Sequence, residues 1–296
     1  MASGTGLYAL QRRSWDEELC ALCDVSPEMV GEIAYGSRGA KLLRDADVFA
    51  AIGDGAASNL GSGANAAGTI AINIGTSAAV RMVLRKDAMP ARKLSRGFFR
   101  YVVDDERVVV GGAVSNAGDL RRWCLRELRV RDDAEAQKAL SRTAAADDAL
   151  TVLPFWVEER APTWPADLRG TITGMTPLTS AADILRATQT SVFYRLAAIV
   201  EQLEAATGAA DEIIVSGGIL HSPASLAVLA DCLGRDIRVA HEMESSLRGA
   251  AIYALDHLGR EAAPLRRARL VKHRVDFAAN HQARRERQEE LERRLA

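Results

Sequence analysis

Three short β-rich runs in this chain each break into a glycine-bearing turn: Ile52-Gly53-Asp54-Gly55, Asn73-Ile74-Gly75-Thr76-Ser77 and Val215-Ser216-Gly217-Gly218. A strand ending on glycine sets backbone N–H groups where no Cβ blocks a ligand's approach. Strands alternate with helices throughout the second half of the chain, which points to the α/β class with a mixed sheet. The 296 residues suffice for one large domain or two modest ones. No internal repeat is evident.

The periodicities predict the elements in order. A turn and short strand open the chain, a helix starts near Ser14 or Trp15, and amphipathic helical stretches lie around 17–22 and 39–43. An apolar run over 47–52 predicts a strand, and a helix with Ala56, Ala57, Leu60 and Gly61 follows it. Strands are expected over 69–74, 78–84, 97–103 and 107–110, with Asp104-Asp105-Glu106 as a hairpin turn. Gly111-Gly112 reads as a turn into a helix over about 117–128, and 131–148 as a surface helix. The run 151–155 is extended. Over 183–206 a helical period aligns Ile184, Ala187, Val192, Leu196, Ile199, Val200 and Leu203 for burial. A strand over 212–215, a helix over 224–233 stopped by Gly234, a strand over 236–239 and a helix over 247–258 complete the pattern. From Asp276 onward the chain reads as a charged helix.

Charge excludes one class of partner. The 38 Lys and Arg nearly balance 39 Asp and Glu, so nothing suggests nucleic acid, which demands a clustered basic surface. Basic clusters occur at Arg266, Arg267 and Arg269, and at Arg284 and Arg285. The second is interleaved with Glu286, Glu289, Glu290 and Glu292, the pattern of a solvated face with i, i+4 pairs. Cys20 and Cys23 form a lone C-x-x-C with no second pair to complete a zinc site, and both read as small buried hydrophobes. His221 reads as a surface-turn residue, with contact to a nucleotide as the alternative. His241, His257, His273 and His281 show no metal-ligand spacing, and Trp15, Trp123 and Trp164 read as packing anchors. No apolar run reaches the ~18 residues of a membrane span and no signal-peptide pattern opens the chain, so a cytoplasmic location is expected.

The glycine turns suggest phosphate chemistry. Gly75-Thr76-Ser77 combines accessible N–H groups with hydroxyl donors and suits a terminal phosphate, and Gly217-Gly218 suits the close approach of a nucleotide. Neither matches the P-loop or the dinucleotide-binding fingerprint. Asp54 lies between two glycines at the end of the apolar run. Two readings stand for it: a carboxylate that orients and deprotonates an acceptor hydroxyl, or a cap for the following helix.

Longer motifs carry a family likeness across nearly the whole chain. IGDGAASNLGSGANAAGTIAINIGTSAAVRMV (52–83), VVVGGAVSNAGDLRRW (108–123), LPFWVEERAPTW (153–164), IIVSGGILHSPASLAVLADCLGRDI (213–237) and ESSLRGAAIYAL (244–255) resemble, in order, the motifs of the FGGY carbohydrate kinases. ASGTGLYALQRRSWDEELCAL (2–22) resembles the segment just before that family's domain junction. The resemblance implies an actin-like ATPase fold of the ribonuclease H type, with ATP in a cleft between two domains. It implies Asp54 as general base, Gly75 and Thr76 at the terminal phosphates, Gly118 and Arg122 near the nucleotide, and Gly217, Gly218 and Ser222 in the adenosine loop. Mg²⁺ would accompany ATP, with no protein metal ligand assigned. Glu159 and Arg160 are expected as a structural ion pair near the cleft, with a direct substrate role as the alternative. NIGTSAAVRMV and VVVGGAVSNAGDLRRW look most like the gluconokinase branch, with xylulokinase-like pentulose kinases as the alternative.

One departure stands out. The family's opening D-x-G-T phosphate turn, and the N-terminal domain behind it, have no counterpart before ASGTGLY. The expected organisation is therefore a remnant of the N-terminal domain and junction over 1–45, the C-terminal nucleotide-binding domain over 46–275, and a charged helix over 276–296. Besides a sugar kinase, the motifs suit a non-catalytic nucleotide-binding half completed by a separately encoded N-terminal half, or an ATP-driven hydrolase or sensor on the same fold. A small-molecule sugar or sugar acid is the expected partner, and a homodimer is left open.

Overall fold

The computed structural model describes residues 1–36, 46–88, 94–142, 150–165, 167–240, 244–265 and 268–296. A small hairpin of β1 (Tyr8–Ala9) and β2 (Ser14–Trp15) is followed by the short helices α1 (Glu17–Leu22) and α2 (Pro27–Val30). The main body runs α3 (Asp54–Ser62), β3 (Thr69–Ile74), β4 (Ala78–Arg85), β5 (Phe98–Val102), β6 (Arg107–Val114), α4 (Gly118–Glu127) and α5 (Asp133–Ser141). It continues with β7 (Thr151–Leu153), β8 (Thr171–Thr173), α6 (Ala181–Thr207), β9 (Glu212–Ser216), α7 (Pro223–Leu233) and β10 (Ile237–Val239). The last elements are α8 (Ser245–His257), β11 (Arg269–Val271) and α9 (Val275–Leu295).

Seven strands form one mixed sheet in the order β11-β10-β9-β3-β4-β6-β5. The strands β10, β9 and β3 are parallel, while β3, β4, β6 and β5 are joined antiparallel. Strand alternation sorts the side chains onto two faces. Ile70, Ile72, Ile74, Val80 and Met82 are buried in the main core with Val192, Leu196 and Ile199 of α6. Val83 and Val109 point the other way, into a cluster with Ala56 and Leu60 of α3 and Tyr253 of α8. α6 starts with a capping box between Ser180 and Asp183 and is buried along most of its length. On the opposite face α3 and α8 touch backbone to backbone. A Cβ on Gly61 would fall 1.8 Å from Ser245 O, and one on Gly249 would fall 1.7 Å from Ala57 O.

Several expectations are corrected. Residues 47–52 form no strand beyond an isolated bridge at Phe49; Phe49 and Ile52 instead pack irregular backbone against the α3-side cluster. Gly111 and Gly112 are not a turn but lie inside β6, opposite Arg81 and Val80. Cys20 is buried, but Cys23 is exposed, and Trp164 is 52% exposed with a φ of +52°. The helix expected around 39–43 lies outside the described residues, as do Arg266, Arg267 and His241. α9 is more than a solvated face. Its i, i+4 pairs Arg285–Glu289 and Arg294–Glu290 do form, yet His281, Gln288 and Glu292 are buried. Glu292 accepts from Arg195 Nη1 at 2.9 Å, which ties α9 to α6. No helix among the described residues is long and apolar enough to cross a membrane.

Candidate active site

At the end of β3 the chain turns through Gly75-Thr76-Ser77 into β4, with Ile74 still paired to Ala78. The N-terminus of α4 is set against this turn. Gly118 N–H donates to Gly75 O at 2.9 Å and Asp119 N–H to Thr76 O at 3.3 Å. A Cβ on Gly118 would stand only 2.4 Å from Gly75 O, so glycine is what permits the contact. One helical turn on, Arg122 Nη2 donates to Thr76 Oγ1 at 3.4 Å. A third segment comes from the end of β9. Gly217 has a φ of +92°, favoured by glycine, and a Cβ there would meet Ile74 O at 2.6 Å.

These segments surround a cavity of about 570 Å³ lined by Gly75, Thr76, Gly118, Arg122, Gly218 and Ser222. Its size is that of a small-ligand site. Val192, Phe193, Leu125 and Ile219 supply apolar wall, and the exposed His221 also lines it. Arg121 is paired with Asp133, and that hydrogen bond holds the Asp133 carboxyl below its usual range. Arg122 has no acidic partner among the described residues. The cavity therefore carries a cation beside the hairpin, where a phosphate would be attracted.

The expected site residues divide into three groups. Gly75, Thr76, Gly118, Arg122 and Gly218 face the cavity, while Gly217 supports its floor from behind. Ser222 lines the cavity with a hydroxyl already engaged: it caps α7 by accepting from Ser225 N–H at 3.2 Å and bonds Gln137 at 2.7 Å. Asp54 lies elsewhere. It is the exposed first residue of α3, with Gly53 rather than itself at the cap position. Its Oδ1 accepts from Gly55 N–H at 2.7 Å, and its Oδ2 has no partner among the described residues. Close to α3's first turn stand Arg81 and Tyr101: a Cβ on Gly55 would lie 2.9 Å from Arg81 Nε and 2.5 Å from Tyr101 Oη.

Glu159 and Arg160 do not pair with each other through their side chains. The Glu159 carboxylate, 2% exposed, accepts from the backbone N–H of Ser115 at 2.5 Å and of Arg160 at 2.8 Å, and from Asn116 Nδ2 at 3.1 Å. Arg160 donates instead to Ser115 Oγ and Val114 O. Together they fix the link between β6 and α4, and through it the cavity wall. Asn116, Gln137 and Arg121 are contributors that sequence reasoning misses. Their only signal is a polar residue at the edge of an apolar run or helix, since their partners are distant in sequence.

The geometry can be set beside known proteins. Residues 70–256 match the model of the FGGY family of carbohydrate kinases, C-terminal domain. The chain belongs to the FGGY family of carbohydrate kinases. The gluconokinase of Bacillus subtilis (strain 168) is 29% identical over 283 residues, 88% of this chain and 55% of that protein. Among solved structures, a gluconate kinase and a ligand-bound xylulose kinase, both from Lactobacillus acidophilus, superpose with a TM-score of 0.89 at 24% and 23% identity. Each alignment covers 100% of this chain and 63% of the other. Plasmodium falciparum glycerol kinase, solved with ADP, gives a TM-score of 0.86 at 21% identity, covering 100% of this chain and 62% of that one. The fold of this FGGY kinase chain is thus the actin-like ATPase fold. The chain spans about half the length of the curated relatives it matches.

Proposed function

We propose that this chain supplies the nucleotide site and the catalytic aspartate for ATP-dependent phosphorylation of a hydroxyl on a sugar or sugar acid, gluconate being favoured. One observation carries the reading: three glycine-bearing segments far apart in sequence meet around one cavity, with Arg122 unneutralised beside the hairpin. Two positions there exclude a Cβ by backbone contact, at Gly118 and Gly217, and the cavity's volume suits a nucleotide. ATP, when bound, would supply the phosphoryl group, and Mg²⁺ accompanying it would offset the phosphate charge. Among the described residues no group of three or more His, Cys, Asp or Glu is placed to hold a metal. Thr76 Oγ1, Arg122 and the turn at 75–77 hold the terminal phosphates. Asp54 Oδ2 accepts the acceptor hydroxyl's proton while Gly55 N–H fixes Oδ1. Glu159 acts as a positioning residue by holding the β6–α4 link.

The test pairs binding with turnover. ADP is titrated calorimetrically, and ADP release is followed with gluconate, xylulose and glycerol. Asp54→Asn is expected to keep ADP affinity and to lower release by about a hundredfold or more. Retained release in that variant would overturn the general-base role. A second reading, a nucleotide-binding half without transfer of its own, draws on Asp54 standing outside the cavity. ADP binding without release for any of the three acceptors supports it.

A further inference from the structure

Arg81 is a cation without a carboxylate partner among the described residues, its one side-chain hydrogen-bond partner there being Tyr101. It sits on β4 opposite Ala71 of β3 and Gly111 of β6, and neither neighbour has a side chain long enough to cover it. On the helix side the gap is left by Gly55, whose missing Cβ makes room for Arg81 Nε and Tyr101 Oη. The Nε atom is buried and unbonded, and Arg81 makes no ion pair among the described residues. Two other sunken arginines, Arg107 and Arg195, have carboxylates in Asp104 and Glu292, and the half-buried Arg160 and Arg248 donate to backbone carbonyls. A half-buried guanidinium loses hydration, and an anion is what returns that loss.

The neighbours indicate where such an anion would come from. Asp54 precedes Gly55, and the Tyr101 hydroxyl feels both charges. Burial raises its pKa, with Arg81 pulling it down and Asp54 pushing it up, so it remains an O–H donor at neutral pH. A nucleotide phosphate is the competing source. Register argues against it: Arg81 is level with Ala71, four residues back from Gly75, or roughly 13 Å along the strand.

We propose that Arg81 is the specificity-determining residue of the acceptor site, pairing with the carboxylate of a sugar acid whose hydroxyl is held by Asp54, while Tyr101 Oη donates beside it. Guanidinium is suited to this because its fork matches a carboxylate in two parallel hydrogen bonds. The proposal rests on the kinase reading of Asp54 and names the acceptor class that reading leaves open.

The experiment titrates gluconate, its uncharged alditol glucitol, and ADP separately into the wild-type chain, Arg81→Gln and Arg81→Lys. Gluconate is expected to bind the wild type at least about tenfold more tightly than glucitol, which corresponds to one charge-assisted contact. Arg81→Gln removes that preference, Arg81→Lys restores part of it, and ADP affinity stays unchanged in both. Equal binding of the two polyols by the wild type overturns the proposal whether or not the variants fold. So does an Arg81→Gln chain that weakens ADP but not gluconate, which would make Arg81 a phosphate ligand. Loss of ADP binding in the wild type would sink the kinase reading alone, because the gluconate comparison still reports on Arg81.

Discussion

Gly118 bears the tightest contact in the cavity wall. Its N–H bonds the carbonyl of Gly75, and any side chain would point into that same oxygen from 2.4 Å. The neighbour is backbone, so it cannot swing aside as a side chain would. Gly118→Ala must therefore push the 75–77 turn or the first turn of α4 outward, at an overpacking cost of about 1–3 kcal/mol. The expected outcome is a lower Tm together with ADP affinity weakened about tenfold or more, read by calorimetry. Unchanged affinity would show that the hairpin does not touch the nucleotide. Gly75, Thr76, Gly217 and Gly218 are legible in sequence because a strand breaking at glycine is a local signal. The partners of Glu159 and the missing carboxylate at Arg81 are not, because both depend on which segments distant in sequence come together. Asp54 is legible as a candidate; Gly53 at the cap position weakens its capping reading, and the general-base reading stays a proposal.

At the scale of elements, local chemistry predicts much and misleads in two telling places. The α6 periodicity and the left-handed Gly234 closing α7 are each legible in sequence, whereas the Ser222 cap with Pro223 behind it emerges from the structure. The glycine pair in β6 looks like a turn yet lies mid-strand, since a Cβ on Gly111 would strike Val80 O at 2.1 Å and one on Gly112 would meet Ala161 Cβ at 2.9 Å. Glycine inside a strand here marks close approach. Charge density along α9 likewise hides its buried side. Tyr194 Oη and His281 Nδ1 lie 2.8 Å apart in that interface. Burial, reinforced by the nearby Arg284 charge, pushes the His281 imidazole down to about 4 from its ordinary 6.5. The unfolded chain thus binds more protons than the native one between those values, so stability is full above pH 6.5 and falls as pH drops toward 4. By pH 5 the loss is about 2 kcal/mol. Urea denaturation at pH 7 and pH 5 should show that fall in the wild type and a smaller one in His281→Gln. Parallel falls in the two proteins would remove His281 as the cause.

For the molecule as a whole, the cavity is a joint between layers. Its walls come from β3, α4, α5, α6, α7 and the turn after β9, so a ligand there bonds elements from both sides of the chain's middle to one another. A ligand that binds only the folded state adds RT ln(1 + [L]/Kd), about 2.7 kcal/mol at a hundredfold excess over Kd. For a chain of this size that corresponds to a rise in Tm of roughly 5 °C. Because Asp54 stands outside the cavity, the nucleotide shift should be the same in Asp54→Asn as in the wild type. Arg122→Ala should lose part of it, since the cation facing Thr76 is gone while the apolar wall remains. Scanning calorimetry with ADP across these three proteins separates the two halves of the proposed chemistry. A full shift in Asp54→Asn with a reduced one in Arg122→Ala places the nucleotide in the cavity and the acceptor chemistry beyond it. No shift at saturating ADP in any of them would take the nucleotide out of this cavity, leaving the family and the fold as they are.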